Sequence, residues 1–300
     1  MSQDAFESAE FRGLPGGWPA ARAGKPRFSR RLYHAIGLVG AVLLGGLLLL
    51  AIFPGRVAPY DPTEPVAPPF LAPSREHLLG TNDIGQDIFS ELIWGTRASL
   101  LTGLTVGVLS VAIGTVAGLI SGYFGNSLSA LILILVDLVL ILPFLPLVIL
   151  LSAYLGPSQR NVVLVLVVVS WATPARLIHA RVLSMTGIPY VEAARALGSS
   201  DGRIIRRHIW PAARAIALVQ LVMLTASAIL AEAGLRFLGL GNPSTKSWGT
   251  MLYFAQVSGV FLGQAWKWWV VPTGLMITLS VLSLVLLGYW LERRLEPNLR

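Results

Sequence analysis

The sequence contains no cysteine and carries little charge. Without cysteine, disulfide bonds, thiolate metal sites and cysteine nucleophiles are excluded. Only 13% of the 300 residues are charged, about half the share found in soluble domains, and 54% are hydrophobic. So little charge excludes a soluble enzyme, an ordinary nucleic-acid-binding domain and a disordered protein, despite a net charge of +8. With a mean hydropathy of +0.69, the composition predicts an integral membrane protein.

Six segments are long and apolar enough to cross a bilayer as helices, which takes about 20 residues each. They cover residues 33–53, 98–124, 128–155, 161–178, 215–235 and 268–291. The third contains Pro143 and Pro146, which predicts a kinked or broken helix because proline interrupts the backbone hydrogen bonds. The first could be a signal peptide, but its apolar stretch from Ala35 exceeds the roughly 7–15 residues of a signal-peptide core. We therefore expect an uncleaved anchor and an all-α membrane fold of six helices.

The basic residues indicate how these helices are oriented. Most of the 23 lysines and arginines fall in the N-terminal tail, around the fourth connection or in the C-terminal tail. Arg176 is counted with the fourth connection. Cytoplasmic connections of membrane proteins are enriched in Lys and Arg. Both termini are therefore predicted to be cytoplasmic, in the inner (plasma) membrane. An even number of spans agrees with this, because it places both termini on the same side.

This orientation divides the chain into inner, outer and membrane segments. They are a cytoplasmic tail at 1–32, a first transmembrane helix at 33–53, an outer proline-rich loop at 54–97, a five-helix core at 98–291 that includes a cytoplasmic loop at 181–211 and an outer loop at 238–267, and a cytoplasmic tail at 292–300.

Asp137 and Glu232 are the only carboxylates inside the predicted spans. A charge at mid-bilayer costs about 2.5–3.5 kcal/mol on insertion scales, so such residues face protein or water and are functional candidates by default. Both are therefore candidates for the lining of a translocation pathway. The alternative is that either one is a neutral, hydrogen-bonded structural group or lies near a helix end.

Glycines recur along the second predicted span, several of them at GxxxG spacing. They are Gly103, Gly107, Gly114, Gly118 and Gly122. Because glycine has no Cβ atom, two helix backbones can approach closely at such a stripe. The stripe predicts tight helix packing, either within the bundle or against another subunit.

The sequence offers no catalytic constellation and no nucleotide site of its own. Lys246 and Ser247 resemble the end of a phosphate loop, but Thr245 stands where that loop requires glycine. The four histidines show no metal-ligand spacing, so no metal site is expected. If this protein uses ATP, another chain must bind it.

The predicted cytoplasmic loop contains a short helix with recognisable ends. Pro189 stands at a permitted first-turn position and Gly198 where the helix should stop. The stretch between them is rich in alanine, and small side chains suit insertion into a groove of another protein.

A second helix is predicted to follow and to end at Pro211. Ser199 to Asp201 offer N-caps, and Ile205 and Ile209 lie four residues apart, on one face of the helix. A basic amphipathic helix of this kind could instead lie on anionic headgroups. That alternative explains the second helix but not the alanine-rich first one.

Four motifs, in order along the chain, resemble those of one family. Glu192-Ala193-Ala194, followed by Gly198 and Pro211, resembles the EAA loop of the membrane subunits of binding-protein-dependent ABC importers. The other motifs are similar to those of the dipeptide/oligopeptide/nickel permeases of the second-subunit type. They are His77 to Asp87 with Gly95 to Leu100, Glu232 to Gly241 with Ser247 to Gly249, and Leu295 to Arg300.

The resemblance implies a six-helix permease of the type I ABC importer fold, a transport subunit and not an enzyme. Such a subunit pairs with a homologous permease, two cytoplasmic ATPases dock below it, and a solute-binding protein delivers cargo from outside. ATP and Mg²⁺ then bind to the ATPases, and no cofactor or nucleic acid binds to this chain. The positions matching the family's ATPase-coupling loop are Glu192, Ala193, Ala194, Arg195, Gly198 and Pro211.

Asp137 matches a family position in the third span, but a residue close to it differs from the family pattern. Ile134 stands where the family often has an arginine, three residues before the aspartate, which argues against an ion pair at Asp137.

Family frequency favours di- or oligopeptides as cargo, with nickel or another small solute as the alternative. A stand-alone secondary transporter or channel is a further alternative, motivated by the kinked third span and the two carboxylates, but the internal repeats common in such folds are not convincing here.

Overall fold

The computed structural model describes residues 30–295, with side chains from Tyr33 onward, and is built from α-helices. The predicted N-terminal tail up to residue 29 and the motif after Leu295 lie outside the described residues. The helices are α1 (Arg30–Ile52), α2 (Pro54–Val57), α3 (Ile88–Phe124), α4 (Ser127–Ile141), α5 (Phe144–Leu155), α6 (Gln159–Ser170), α7 (Ala172–Thr186), α8 (Pro189–Ala196), α9 (Asp201–Ile204), α10 (Trp210–Phe237), α11 (Trp248–Val257) and α12 (Trp266–Leu295). A π-helical segment, Ile205–Ile209, joins α9 to α10, and a 3₁₀ turn, Val260–Leu262, precedes α12.

Five helical runs are long and apolar enough to cross a membrane, and the pair α4–α5 makes a sixth when counted as one bent span. The five are Tyr33–Ile52, Ile88–Phe124, Gln159–Thr186, Asp201–Phe237 and Trp266–Leu295. The predicted all-helical membrane fold is confirmed, with the third of its six spans bent.

The bend lies between α4 and α5, whose axes differ by 94°. Leu142 and Pro143 are both extended there, with ψ angles of 136° and 121°. A residue that precedes proline is pushed out of the α region, so α4 ends at Ile141. Pro146 lies in the first turn of α5, where its missing N–H costs no helical hydrogen bond. The predicted break of the third span is confirmed.

The second span begins earlier than predicted, because α3 starts at Ile88 and not at residue 98. Asp87 caps this start: its carboxylate accepts hydrogen bonds from the Ser90 backbone N–H and hydroxyl, both at 2.8 Å. The last part of the connection predicted as an outer loop is therefore helical.

α3 packs against α7 and α10 through its glycines. A Cβ atom on Gly114 would lie 2.6 Å from the carbonyl oxygen of Trp171, and one on Gly118 would lie 2.7 Å from that of Ala175. Gly103 is equally close to α10, where a Cβ atom would meet Ile229. The glycine stripe thus serves helix packing inside this chain, one of its two predicted uses.

The prediction that a helix ends at Pro211 is wrong. α9, the π-helical segment and α10 form one continuous run, with Pro211 in the first turn of α10. The N–H of Trp210 bonds to the carbonyl of Ile205, five residues earlier. This wider turn leaves room for the proline ring, which would otherwise press on the carbonyl four residues before it.

The π-helical segment also changes which side chains are buried. Ile204 and Ile209 are completely buried, whereas Ile205 is only half-buried. Ile205 still packs against the same core as Ile209, as predicted for residues on one face, but the wide turn places Ile204 and Ile209, five residues apart, in the deepest positions.

The two ends of the bundle differ. α8 and α9 project from one end, which we call the α8 end, and α11 covers the opposite end, which we call the α11 end. Ser247 caps the start of α11 and forms a reciprocal capping box with Thr250. Trp248 of α11 and Trp269 of α12 are completely buried. α11 is therefore packed into the bundle.

Candidate functional site

The α8 projection, residues 189–209, has a fixed turn at its tip. Gly198 has a φ angle of +76°, a conformation that side chains with a Cβ atom rarely adopt. Its N–H donates to the carbonyl of Arg195 at 3.0 Å, and the N–H of Ser199 donates to that of Ala194 at 3.1 Å. These bonds close α8 and turn the chain toward α9.

The outward surface of α8 carries most of the residues predicted to couple to an ATPase, whereas Pro211 lies in the first turn of α10. Glu192, Ala193 and Arg195 are exposed, and Ala194 is half-buried. The sequence reasoning missed Leu197, whose side chain is 86% exposed at the tip. A leucine beside small alanine side chains adds an apolar contact to a surface that suits a protein groove.

The inner side of the projection is fixed to the bundle. Val191, Ile204 and Ile209 are completely buried. They belong to the same apolar core as Val182 of α7 and Ala213 of α10. Because these side chains interlock with two membrane helices, a force on α8 acts directly on the bundle.

A polar cluster ties the projection to the end of α3, and the sequence reasoning missed it. The hydroxyl of Tyr123 donates to Asp201 Oδ1 at 2.6 Å. The guanidinium carbon of Arg195 lies 5.6 Å from the centroid of the Tyr123 ring. Hydrogen bonding to Tyr123 is the main cause that raises the pKa of Arg195, so its positive charge is secure at any physiological pH.

At the α11 end, a buried network joins the start of α3 to the loop before α11. Glu91 is 3% exposed and pairs with Lys246, whose Nζ also donates to Gln86 Oε1 at 2.6 Å. Asn82 Nδ2 donates to Glu91 Oε2 at 3.1 Å. Next to it, His77 Nδ1 lies 3.0 Å from Asp87 Oδ1. The family-like motif that begins at His77 therefore builds the cap of α3 and its contact with α11.

Glu232 is completely buried and forms an ion pair with Arg236, one turn later on α10. Arg236 Nη1 donates to the carbonyl oxygen of Asn242 at 3.3 Å. α11 approaches Arg236 closely at Gly249, because a Cβ atom on this glycine would lie 2.8 Å from the Cβ atom of Arg236. The pair thus holds the loop and α11 against α10, and its burial favours the structural alternative for Glu232 over a role in the pathway lining.

Asp137 is placed differently, since its side chain is 52% exposed. Arg176 Nη1 of α7 donates to Asp137 Oδ1 at 2.7 Å. The isoleucine at position 134 argued against an ion pair at Asp137, because the family often has an arginine there. The ion-pair partner of Asp137 is instead Arg176, which belongs to another helix. Each residue lies about 15 Å along its helix from the α8 end, inside a helical run that is long and apolar enough to cross a membrane. Arg176 therefore lies within the candidate span Gln159–Thr186 and not in the connection with which the sequence counted it.

A cavity of about 400 Å³ opens between the α4–α5 bend, the junction of α6 with α7, and α10. Its polar lining includes Ser170, Thr173, Gln220 and Ser227, and Leu140 and Phe144 contribute apolar walls. A concave site with mostly apolar walls and a few polar side chains is typical of small-molecule sites.

Comparison with known proteins places these features in a family. Residues 114–300 match the family described as the inner membrane component of binding-protein-dependent transport systems. The chain belongs to this family. The permease is 38% identical to the di/tripeptide transport system permease protein DppC of Pseudomonas aeruginosa, over 91% of this chain and 92% of that protein. It is 37% identical to the dipeptide permease protein DppC of Haemophilus influenzae, over 88% and 90%.

A putative peptide permease of Brucella suis extends the similarity, at 33% identity over 99% of this permease and 98% of that protein. The predicted family and the type I ABC importer fold are confirmed, and the permease is a multi-pass membrane component of a binding-protein-dependent importer. Such components work with ATPases and a solute-binding protein. The matched range includes the α8 projection, the Asp137–Arg176 pair and the residues that line the cavity.

Proposed function

We propose that the permease forms half of the translocation pathway of an ATP-driven peptide importer, and that a homologous permease forms the other half. Two cytoplasmic ATPases and an extracytoplasmic solute-binding protein complete the assembly. ATP and Mg²⁺ bind to the ATPases, and this chain is non-catalytic. The observation that carries the proposal is the α8 projection, which is exposed outside and fixed to the bundle by Val191, Ile204 and Ile209.

In the proposed orientation, both termini and the α8 end face the cytoplasm. Arg203, Arg206 and Arg207 near α8, with Arg293 and Arg294 at the end of α12, are all exposed at this end. An excess of Lys and Arg marks the cytoplasmic side of membrane proteins. The α11 end then faces the solute-binding protein.

The proposed coupling contact is the outward surface of α8. Glu192 and Ala193, with Leu197 at the tip, enter a groove of an ATPase, while Arg195 holds α8 to Tyr123 and Gly198 keeps the tip compact. When ATP brings the two ATPases together, their movement displaces the projection and with it α7 and α10. The membrane helices then open to the other side.

The proposed cargo is a di- or oligopeptide. The relatives named above are peptide permeases, two of them named for di- or tripeptides. Ser170, Thr173 and Gln220 in the cavity can hydrogen-bond peptide groups without selecting one side chain. Nickel is the second candidate, but the described residues that line the cavity include no histidine, the side chain that suits this ion.

Uptake into proteoliposomes tests the proposal. The purified importer should accumulate alanyl-alanine only when ATP is inside and the solute-binding protein is outside. Uptake should be insensitive to ionophores that collapse ion gradients. Accumulation by this chain alone, driven by an ion gradient without the ATPases, would instead support a secondary transporter, and import of Ni²⁺ but not of peptide would support the second cargo.

The contact between Tyr123 and Asp201 provides a finer test of coupling. Tyr123→Phe removes one hydroxyl and keeps the ring, so we expect about fivefold less peptide imported per ATP hydrolysed, the effect of losing roughly 1 kcal/mol. Tyr154→Phe is the matched control, because Tyr154 is 87% exposed near the end of α5, outside the α8 projection. An unchanged ratio in Tyr123→Phe would contradict a role of this contact in coupling.

A further inference from the structure

The Asp137–Arg176 pair lies at one edge of the cavity. Leu140, which lines the cavity, follows Asp137 by one helical turn on α4, and Thr173, another lining residue, precedes Arg176 by one turn on α7. α4 runs away from the α8 end and α7 runs toward it. Both charged residues are therefore displaced from the cavity in the same direction, toward the α8 end.

The exposure of the pair restricts what can surround it. The side chains of Asp137 and Arg176 are 52% and 60% exposed, although both residues lie inside helices that are long and apolar enough to cross a membrane. Hydrocarbon does not solvate such charges, so intramembrane ion pairs face protein or a water-filled space. A cavity one helical turn away supplies such a space.

From this position we infer that Asp137 and Arg176 form a contact site for the charged ends of a peptide as it leaves the cavity toward the cytoplasm. The inference rests on the proposed import function. A free peptide carries an ammonium group at one end and a carboxylate at the other. The Asp137 carboxylate accepts hydrogen bonds from the ammonium group, and the Arg176 guanidinium donates two parallel bonds to the carboxylate. Without cargo, the two side chains neutralise each other, which limits the cost of charge in the membrane.

Cysteine labelling tests whether this edge of the cavity is part of a water-filled passage. The chain has no cysteine, so a single substitution is the only site labelled on this chain once it has been separated from its partner subunits. In the complete importer, Thr173→Cys should react with a charged, membrane-impermeant thiol reagent, and alanyl-alanine transported during turnover should slow the reaction. Ile113→Cys is the control, because Ile113 is 47% exposed on α3 at a similar distance from the α8 end and does not line the cavity. Failure of Thr173→Cys to react, or equal reaction at both positions, would overturn the inference.

Transport by charge-neutralised variants tests the contact itself. Asp137→Asn, Arg176→Gln and the double variant should each import alanyl-alanine about tenfold more slowly at saturating binding protein. ATP hydrolysis stimulated by the loaded binding protein should stay within about twofold of the parent, because the ATPase contact at α8 is unchanged. A double variant that regains parental uptake would overturn the inference, since removing both charges leaves neither unpaired and such recovery indicates a purely structural pair.

The outcome also separates this inference from the proposed function. If the parent importer takes up no alanyl-alanine, the proposed cargo is wrong and the inference falls with it. If the parent imports the peptide and all three variants import it equally well, only the contact site is wrong. Loss of stimulated ATP hydrolysis together with uptake would place the pair in coupling and would also overturn the inference.

Discussion

Replacing Glu192 with arginine is expected to abolish peptide uptake while the chain still inserts into the membrane. Glu192 is exposed on the first turn of α8, so its replacement should change the stability of the bundle by no more than about 0.5 kcal/mol. At the proposed contact with an ATPase, reversal of the charge costs several kcal/mol, and about 3 kcal/mol lowers binding by about two powers of ten. ATP-driven uptake by the reconstituted importer and copurification of the ATPase measure the effect.

The matched control for this variant is Glu292→Arg, an identical charge reversal at an exposed residue near the end of α12. It lies at the same end of the bundle but outside the α8 projection, so uptake should remain close to the parental rate. Deletion of residues 193–198 should have the same effect as Glu192→Arg. If the ATPase copurifies normally with either coupling variant, the assignment of α8 is contradicted.

Replacing Arg236 with methionine should give the largest loss of stability, about 3–5 kcal/mol. Glu232 is completely buried, and without its partner its charge has no compensation in the interior. Arg236 also donates to the backbone of the loop before α11, so the variant loosens the α11 end. Thermal unfolding of the purified chain in detergent measures the effect, and at about 2–4 °C per kcal/mol the midpoint should fall by about 10 °C.

The double variant Glu232→Leu/Arg236→Met is the control for this prediction. It removes both charges from the interior, so most of the lost stability should return. A single Arg236→Met variant that unfolds at the parental temperature would show that the pair is not a significant support of α11.

The parts of the fold that depend on neighbouring residues could be predicted from the sequence. The break of the third span follows from Pro143, because proline acts on the residue just before it. The ends of α8 follow equally locally, from Pro189 and Gly198. By contrast, the start of α3 was placed too late, because Glu91 and Arg97 interrupt the apolar run and only Lys246, far along the chain, compensates the charge of Glu91.

The candidate site was predictable where it consists of a motif and not where it depends on tertiary contacts. Glu192-Ala193-Ala194 indicated the projection, and the structure places Leu197 at its tip and Tyr123 at its base. The ion-pair partner of Asp137 was missed because Arg176 belongs to another helix. The continuation through Pro211 was missed because a π turn leaves no clear sequence signal.

In the proposed importer, the α8 projection docks into an ATPase and does not lie on the membrane surface. Photo-crosslinking in the complete importer, from a photoreactive reagent attached to Leu197→Cys, tests this docking most directly. Ser184→Cys on α7 is the control outside the projection. We predict a crosslink from residue 197 to the ATPase that changes in yield when ATP is added, and none from residue 184. Crosslinking of residue 197 to phospholipid, with no ATPase adduct in any nucleotide state, would contradict the account.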